Sequence, residues 1–227
     1  MGESGMNVGV LFSGGKDSLY AAYLAQKSGY TLCCFISIFS DNPHSFMFHT
    51  PSIAAVEKQA FSMELPLIKR KTKGEREKEL IDLEIVIIEA IKRYHIEGIV
   101  TGAVASVYQA TRIQTICNKL GIECFNPLWQ KNQSELLKEL LQNKFEVILT
   151  GVSAFPLNRE WLGRTIDKEF INQIKLLEKK YGINPAGEGG EFESFVLDCP
   201  LFSRRLIIDD HVDFGEGYSW RREVRVK

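Results

Sequence analysis

From residue 7 to residue 125 short apolar runs alternate with helical patterns. Asn7–Phe12, Thr31–Phe39, Pro66–Lys71, Gly98–Gly102 and Ile122–Phe125 read as strands. Asp17–Lys27, a segment from the Thr50-Pro51 cap pair to about Met63, Lys78–Tyr94 and Tyr108–Leu120 read as helices. Leu80, Leu83, Ile87 and Ile91 fall on one face of the third helix. Thr31–Phe39 is apolar without alternation, as in strands covered on both faces, which belong to parallel sheets. The pattern therefore predicts an α/β fold: a doubly wound, parallel, five-stranded sheet with right-handed crossovers. Such a sheet binds ligands beyond the carboxyl ends of its strands. Functional residues are expected just after Phe12, Phe39, Lys71 and Val100.

The pattern changes after about residue 126. Gln133–Asn143 and Asp167–Tyr181 read as helices, and Phe145–Val152 as a strand. Phe192–Leu197, Arg204–Ile208 and Ser219–Val226 then follow as strands with no helix between them, which suggests antiparallel pairing. A smaller C-terminal α+β domain over 127–227 is expected to join the 1–126 domain near Asn126-Pro127. No repeat with a period of 20 to 50 residues interrupts this plan.

Composition narrows the function. The 227 residues carry a net charge of −1, which argues against a large nucleic-acid footprint. Lys69, Arg70, Lys71 and Lys73 form a local basic patch, read as a solvated strand end. The five cysteines lack CxxC or zinc-type spacing and read as reduced thiols. No leader-like or membrane-spanning run occurs, so a soluble cytoplasmic protein is expected, with no membrane partner.

The first strand ends in Ser13-Gly14-Gly15-Lys16-Asp17-Ser18. Adjacent glycines expose backbone N–H groups, and the helix start adds unpaired donors with a partial positive charge. Lys16 contributes a full charge, and Ser13 and Ser18 contribute hydroxyls. Together they make an anion site suited to phosphate. The GxxxxGK[ST] motif fails: Val10 stands where its first glycine belongs, and Asp17 follows the lysine. The dinucleotide motif GxGxxG fails because the glycines are adjacent. SGGKDS resembles the pyrophosphate-binding loop of the ATP pyrophosphatases, the PP-loop superfamily. That resemblance implies a Rossmann-like sheet of PP-loop (HUP) type and cleavage of ATP to AMP and pyrophosphate. Charge on the departing pyrophosphate would be held by the loop, Lys16 and Mg²⁺. Asp17 is either the metal ligand or the helix cap.

Three later segments narrow the field. GAVASVYQATR runs from Gly102 to Arg112 at the end of the fourth strand. WLGR, from Trp161 to Arg164, follows the strand ending at Val152. GEGGEFESFVLDCP begins at Gly187 and sets three glutamates on a glycine-rich turn. With SGGKDS and Pro127-Leu128-Trp129, these motifs in this order resemble the diphthine–ammonia ligase family over nearly the whole chain. The resemblance implies ATP-dependent amidation, with ammonia, of diphthine on translation elongation factor two, giving diphthamide, AMP and pyrophosphate.

The resemblance further implies catalytic roles for Lys16, Asp17, Glu188, Glu191 and Glu193. ATP would lie on Ser13, Gly14, Gly15, Lys16, Asp17, Ser18, Gly102 and Ala103. Met47 and His49, after the second strand, either border the adenine or pack in the core. Substrate would meet Ser106, Tyr108, Gln109, Arg112, Trp161, Gly189 and Gly190. The three glutamates, with Trp161 or Phe192, are candidates to bind the trimethylammonium of diphthine or to orient ammonia. Residue 2 is glycine and no spare amidotransferase domain is visible, so free ammonia is the expected nitrogen source. The chain is short for the family, and no second activity is expected. An ATP-dependent tRNA-modifying enzyme and a non-catalytic nucleotide sensor stay open as other readings. So does a homodimer; no stable nucleic-acid partner is expected.

Overall fold

The computed structural model describes residues 5–40, 53–73, 75 and 78–227. The expected start of the second helix at Thr50-Pro51 lies outside these residues. So do Met47 and His49.

Five strands form the first sheet: β1 (Asn7–Leu11), β2 (Thr31–Ser40), β3 (Leu67–Thr72), β4 (Gly98–Val100) and β5 (Glu123–Phe125). All neighbours pair in parallel, in the order β3-β2-β1-β4-β5. The crossovers are α1 (Lys16–Lys27), α2 (Ile53–Ser62), α3 (Lys78–Tyr94) and α4 (Val107–Leu120). Alternate residues of each strand feed opposite faces, as the pleat requires. Val8, Val10, Phe35 and Val100 pack with α1 and α2. Cys34, Ile36, Ile38 and Ile99 pack with α3 and α4. This is the doubly wound sheet that the alternating pattern predicts. The order reverses between β1 and β4, so a crevice opens there, beyond Phe12 and Val100.

The second sheet is antiparallel, in the order β7-β6-β9-β8. It contains β6 (Glu146–Val152), β7 (Phe192–Asp198), β8 (Ile208–Glu216) and β9 (Ser219–Val226), with α5 (Gln133–Gln142) and α6 (Lys168–Tyr181) preceding β6 and β7. Asn132 and Asp167 cap these helices with side-chain oxygens, and Gly182 ends α6 at φ 72°.

One strand differs from the sequence expectation. Arg204–Ile208 is apolar enough to suggest a strand, but only Ile208 enters one. Leu206 turns into the core and its N–H donates to Leu197 O. The strand is the charged segment that follows. Its pairing to β9 is reinforced by cross-strand ion pairs, Asp213 to Arg222 at 2.7 Å and Asp210 to Arg225 at 3.2 Å. Gly217, at φ 54°, supplies the positive φ that the two-residue turn between β8 and β9 needs.

One continuous apolar cluster runs through both sheets. Phe145, just before β6, meets the α1 rings Tyr20 and Tyr23 edge-on at 5.4 and 5.7 Å. The hydroxyl of Tyr20 donates to Glu139 at 2.7 Å and that of Tyr23 to Asn143 at 2.8 Å. Among the described residues no helix is long and apolar enough to cross a membrane.

Phe145→Ala should therefore destabilise the protein by about 3–5 kcal/mol. Denaturant titration followed by far-ultraviolet dichroism and by tryptophan fluorescence should give one shared midpoint for both probes. Two separated transitions would contradict a common core.

Candidate active site

β1 delivers the phosphate loop to the crevice. Phe12 N donates to Ile36 O at 2.8 Å, and Ser37 Oγ donates to Phe12 O at 2.6 Å, which fixes the strand's end beside β2. Gly14 then takes φ 79°. Its carbonyl accepts from Val196 N at 3.2 Å and from Gln59 Nε2 at 3.0 Å. Gln59, wholly buried on α2, also donates to Val196 O at 2.8 Å. Lys16 N donates to Ser194 Oγ at 3.2 Å. The loop is thus bound along its length to β7, the strand that continues the acidic turn.

The N-cap of α1 is Gly15, which has no side chain to cap with. Asp17 is therefore no cap. Its Oδ2 pairs with Lys16 Nζ at 2.7 Å, while Oδ1 is buried with no hydrogen-bond partner. Lys16 is 3% exposed, and its ammonium lies 5.6 Å from the Phe192 ring centroid. Ser13 and Ser18 hydroxyls lie 3.3 Å apart. Gly102 comes in from β4, and a Cβ there would stand 2.7 Å from the backbone of Asp17 and Ser18. Only glycine lets the two loops approach so closely.

The acidic turn closes the crevice. Gly187 and Gly190 take φ 76° and 83°. Glu191 faces inward on its own turn: Oε1 accepts from Asn184 N at 2.9 Å and Oε2 from Gly189 N at 2.8 Å. It shapes the turn with both oxygens. Glu188 Oε2 accepts from Ala105 N at 3.3 Å and so ties the turn to the loop before α4. Burial, then the nearby charge of Asp17, pushes the Glu188 carboxyl up to about 7; Lys16 and the Ala105 N–H pull the other way, and Glu191 adds a smaller upward push.

A cleft of about 990 Å³ lies between these parts. Ser13, Asp17 and Ser18 line it with Gly102, Ala103, Ser106 and Gln109; Glu188, Gly189, Gly190 and Glu193 line the opposite wall. Gly15 and Lys16 line an adjoining hollow of about 130 Å³, which Asp17, Glu193 and Ser194 share. Ser106 also caps α4, accepting from Gln109 N at 3.3 Å. Other expected residues stand elsewhere. The Arg112 guanidinium stacks 4.0 Å from the Tyr108 ring, and neither lines the cleft. Trp161 packs against Phe170 at 5.8 Å under the Arg164 guanidinium at 4.2 Å. Gly14 serves the Gln59 contact rather than the cleft wall.

Sequence reading missed Phe214, Trp220 and Arg221, which reach the cleft from the β8–β9 hairpin. The alternation of Ser219–Val226 was the only signal, and it marks a strand without naming its ligand. Gln59 was missed as well, because nothing separates it in sequence from an ordinary helix position.

The parallel sheet with SGGKDS at its switch point defines a nucleotide-binding α/β protein of the PP-loop class. The chain belongs to the diphthamide synthase family. Residues 6–124 match the family's "Diphthamide synthase N-terminal domain" and residues 132–223 its "Diphthamide synthase C-terminal domain". The human protein named diphthine–ammonia ligase is 33% identical over 226 residues, covering 90% of this chain and 83% of that one. The Danio rerio protein of that name is 33% identical over 222 residues, 90% and 87% of the two chains. The Schizosaccharomyces pombe protein of that name is 32% identical over 221 residues, which is 36% of its length. A solved structure described as a predicted subunit of tRNA methyltransferase from Methanocaldococcus jannaschii superposes with a TM-score of 0.45 at 21% identity, covering 86% of this chain and 98% of that one. At that level the likeness carries no functional argument.

Two outcomes follow from the geometry. Gln59→Met removes both donor bonds while keeping volume; KM for ATP should rise by about fivefold, since a hydrogen-bonded loop constraint is worth about 1 kcal/mol. Gln59→Glu, which sets a carboxylate against two carbonyls, should do worse. An unchanged KM in both variants would leave Gln59 a packing residue only. For Glu188 the folded state holds its proton to about 7 against an ordinary 4.5. Stability from this group is thus present at pH 4.5 and lost as pH rises through 7. Glu188→Gln should raise Tm at pH 8 by about 2–4 °C per kcal/mol relieved, and the gain should shrink toward pH 4.5 in a thermal-shift series.

Proposed function

We propose that this chain joins ammonia to the carboxylate of diphthine on translation elongation factor two, while ATP is cleaved to AMP and pyrophosphate. One observation carries the reading: the phosphate loop is bonded to β7, the strand that continues the glutamate turn, and loop and turn line the same cleft. Membership of the diphthamide synthase family supports it.

The chemistry has two steps. A substrate carboxylate oxygen bonds to the α-phosphorus, and the bond to the pyrophosphate oxygen breaks. Ammonia then bonds to the acyl carbon, AMP leaves with the shared oxygen, and the nitrogen gives up a proton. Lys16 and the loop N–H groups hold charge on the leaving pyrophosphate in the smaller hollow. Glu188, with its carboxyl near neutrality, takes the proton lost from nitrogen. Glu193 faces the cationic part of the substrate, beside Phe192 and Trp220. Trp161, packed on α6, is not part of that wall.

Mg²⁺ fits the Asp17 side chain, whose Oδ1 is buried and unpartnered. Among the described residues no cage of three or more ligating side chains occurs. That suits Mg²⁺, which prefers one or two carboxylates with phosphate oxygens and water. When bound it would neutralise charge on the phosphates.

Residues 1–126 serve the nucleotide and 127–227 the substrate in this reading, joined near Asn126-Pro127. Sulfur transfer is disfavoured: Cys199, the thiol nearest a motif, is buried, and burial pushes it up to about 12. Its substrate places the enzyme in the cytoplasm.

Purified protein with ATP, ammonium and diphthine-bearing elongation factor should yield AMP in step with amide, read by mass spectrometry. Lys16→Ala should lower kcat by about 10²–10³-fold. Accumulation of ADP, or an unchanged substrate mass, would overturn the proposal.

A further inference from the structure

Three exposed aromatic rings meet beside segments that line the cleft. Phe155 is 53% exposed, Tyr218 47% and Tyr181 40%. They come from three places: the segment after β6, the β8–β9 turn and the last turn of α6. Phe155 meets Tyr181 edge-on at 5.1 Å and Tyr218 at 5.0 Å. Two of the three are joined by sequence to the cleft wall. Ser153 and Ser219 line the cleft, and so do Phe214 and Trp220 of the same hairpin. Phe155 and Tyr218 therefore stand within two residues of the cleft lining.

We propose that this aromatic shelf is the docking face for the protein substrate, holding the apolar surface that flanks the diphthine while that side chain enters the cleft. The inference rests on the amidation reading given above. Exposed apolar patches of this kind mark interaction sites, and aromatic side chains dominate the energetics of protein interfaces. The three rings already fix one another edge to face, so little side-chain freedom is lost on docking.

The position selects the occupant. A reacting carboxylate brought near Asp17 and Glu188 must arrive on a protein whose surface covers the cleft, and the segments that carry Phe155 and Tyr218 also line that cleft. A second copy of this chain seated there would shut the substrate out. A single-stranded RNA could also stack on the rings, where Lys180 lies over the Tyr181 ring at 4.9 Å, and its binding is the outcome that the test separates.

The test is a Phe155→Ala/Tyr218→Ala double variant, with Phe155→Leu/Tyr218→Phe as a conservative partner. Steady-state amidation is measured against elongation factor at saturating ATP and ammonium. KM for the factor should rise about tenfold or more in the alanine pair, with KM for ATP within about twofold of wild type. The conservative pair should recover most of the loss, which separates docking from misfolding. An unchanged KM for the factor in the alanine pair overturns the proposal. Sedimentation showing that this pair dissolves a dimer, with KM unchanged, assigns the face to self-association and equally overturns it. So does loss of tRNA binding with KM unchanged. If wild-type protein forms no amide, the amidation reading fails by itself. Direct binding of diphthine-bearing factor to wild type and variant then still decides the shelf: equal affinity refutes it.

Discussion

The carbonyl of Gly14 is the point on which the site depends. It accepts from Val196 and from Gln59, and Gln59 reaches on to Val196. Through those bonds the phosphate loop of a parallel sheet becomes part of the edge of an antiparallel one. Each bond is modest alone, about 1 kcal/mol net. All are shielded by the surrounding core, so breaking one leaves a buried polar group unsatisfied. The result is a rigid corner where phosphate donors and carboxylates hold fixed relative positions. Charge stabilisation during a reaction depends on such preorganisation.

The charges around the corner are arranged in opposition. Lys16 is nearly inaccessible and shared between Asp17 and the face of Phe192. Glu188 is discouraged from ionising first by burial and then by the nearby charge of Asp17. One carboxylate thus pairs with a lysine, while a neighbouring one has its carboxyl pushed up to about 7. A carboxyl raised by burial inside a cleft is a common mark of a functional site. Glu191, in the same short turn, turns both oxygens onto backbone N–H groups and gives the turn its shape.

Much of the first sheet is legible from sequence because its information is local. Apolar runs, glycine stops and one helix–strand rhythm suffice for β1 through β5, and the switch point follows from topology. SGGKDS is legible because each residue type has a physical use beside a strand end. The second sheet is harder. Arg204–Ile208 looks like a strand by hydrophobicity, yet the pairing strand begins at Ile208 and is largely charged, since its stability comes from partners on β9 that one segment cannot reveal. Trp161 and Trp220 are alike in sequence terms; only tertiary packing sends the first to α6 and the second to the cleft. Gln59 is invisible for the same reason, its two acceptors lying 45 and 137 residues away.

The tyrosine rings of α1 rest on Phe145, and their hydroxyls reach Glu139 and Asn143 on α5 and at its end. Helix α1 begins in the phosphate loop, so its far side is moulded to the opposite half of the chain. A chimera that took its carboxyl-terminal half from a distant homologue would have to bring a matching ring and two matching acceptors. Without them the graft would leave stranded hydroxyls under the very helix that starts in the SGGKDS loop, which makes the two halves poor candidates for independent shuffling.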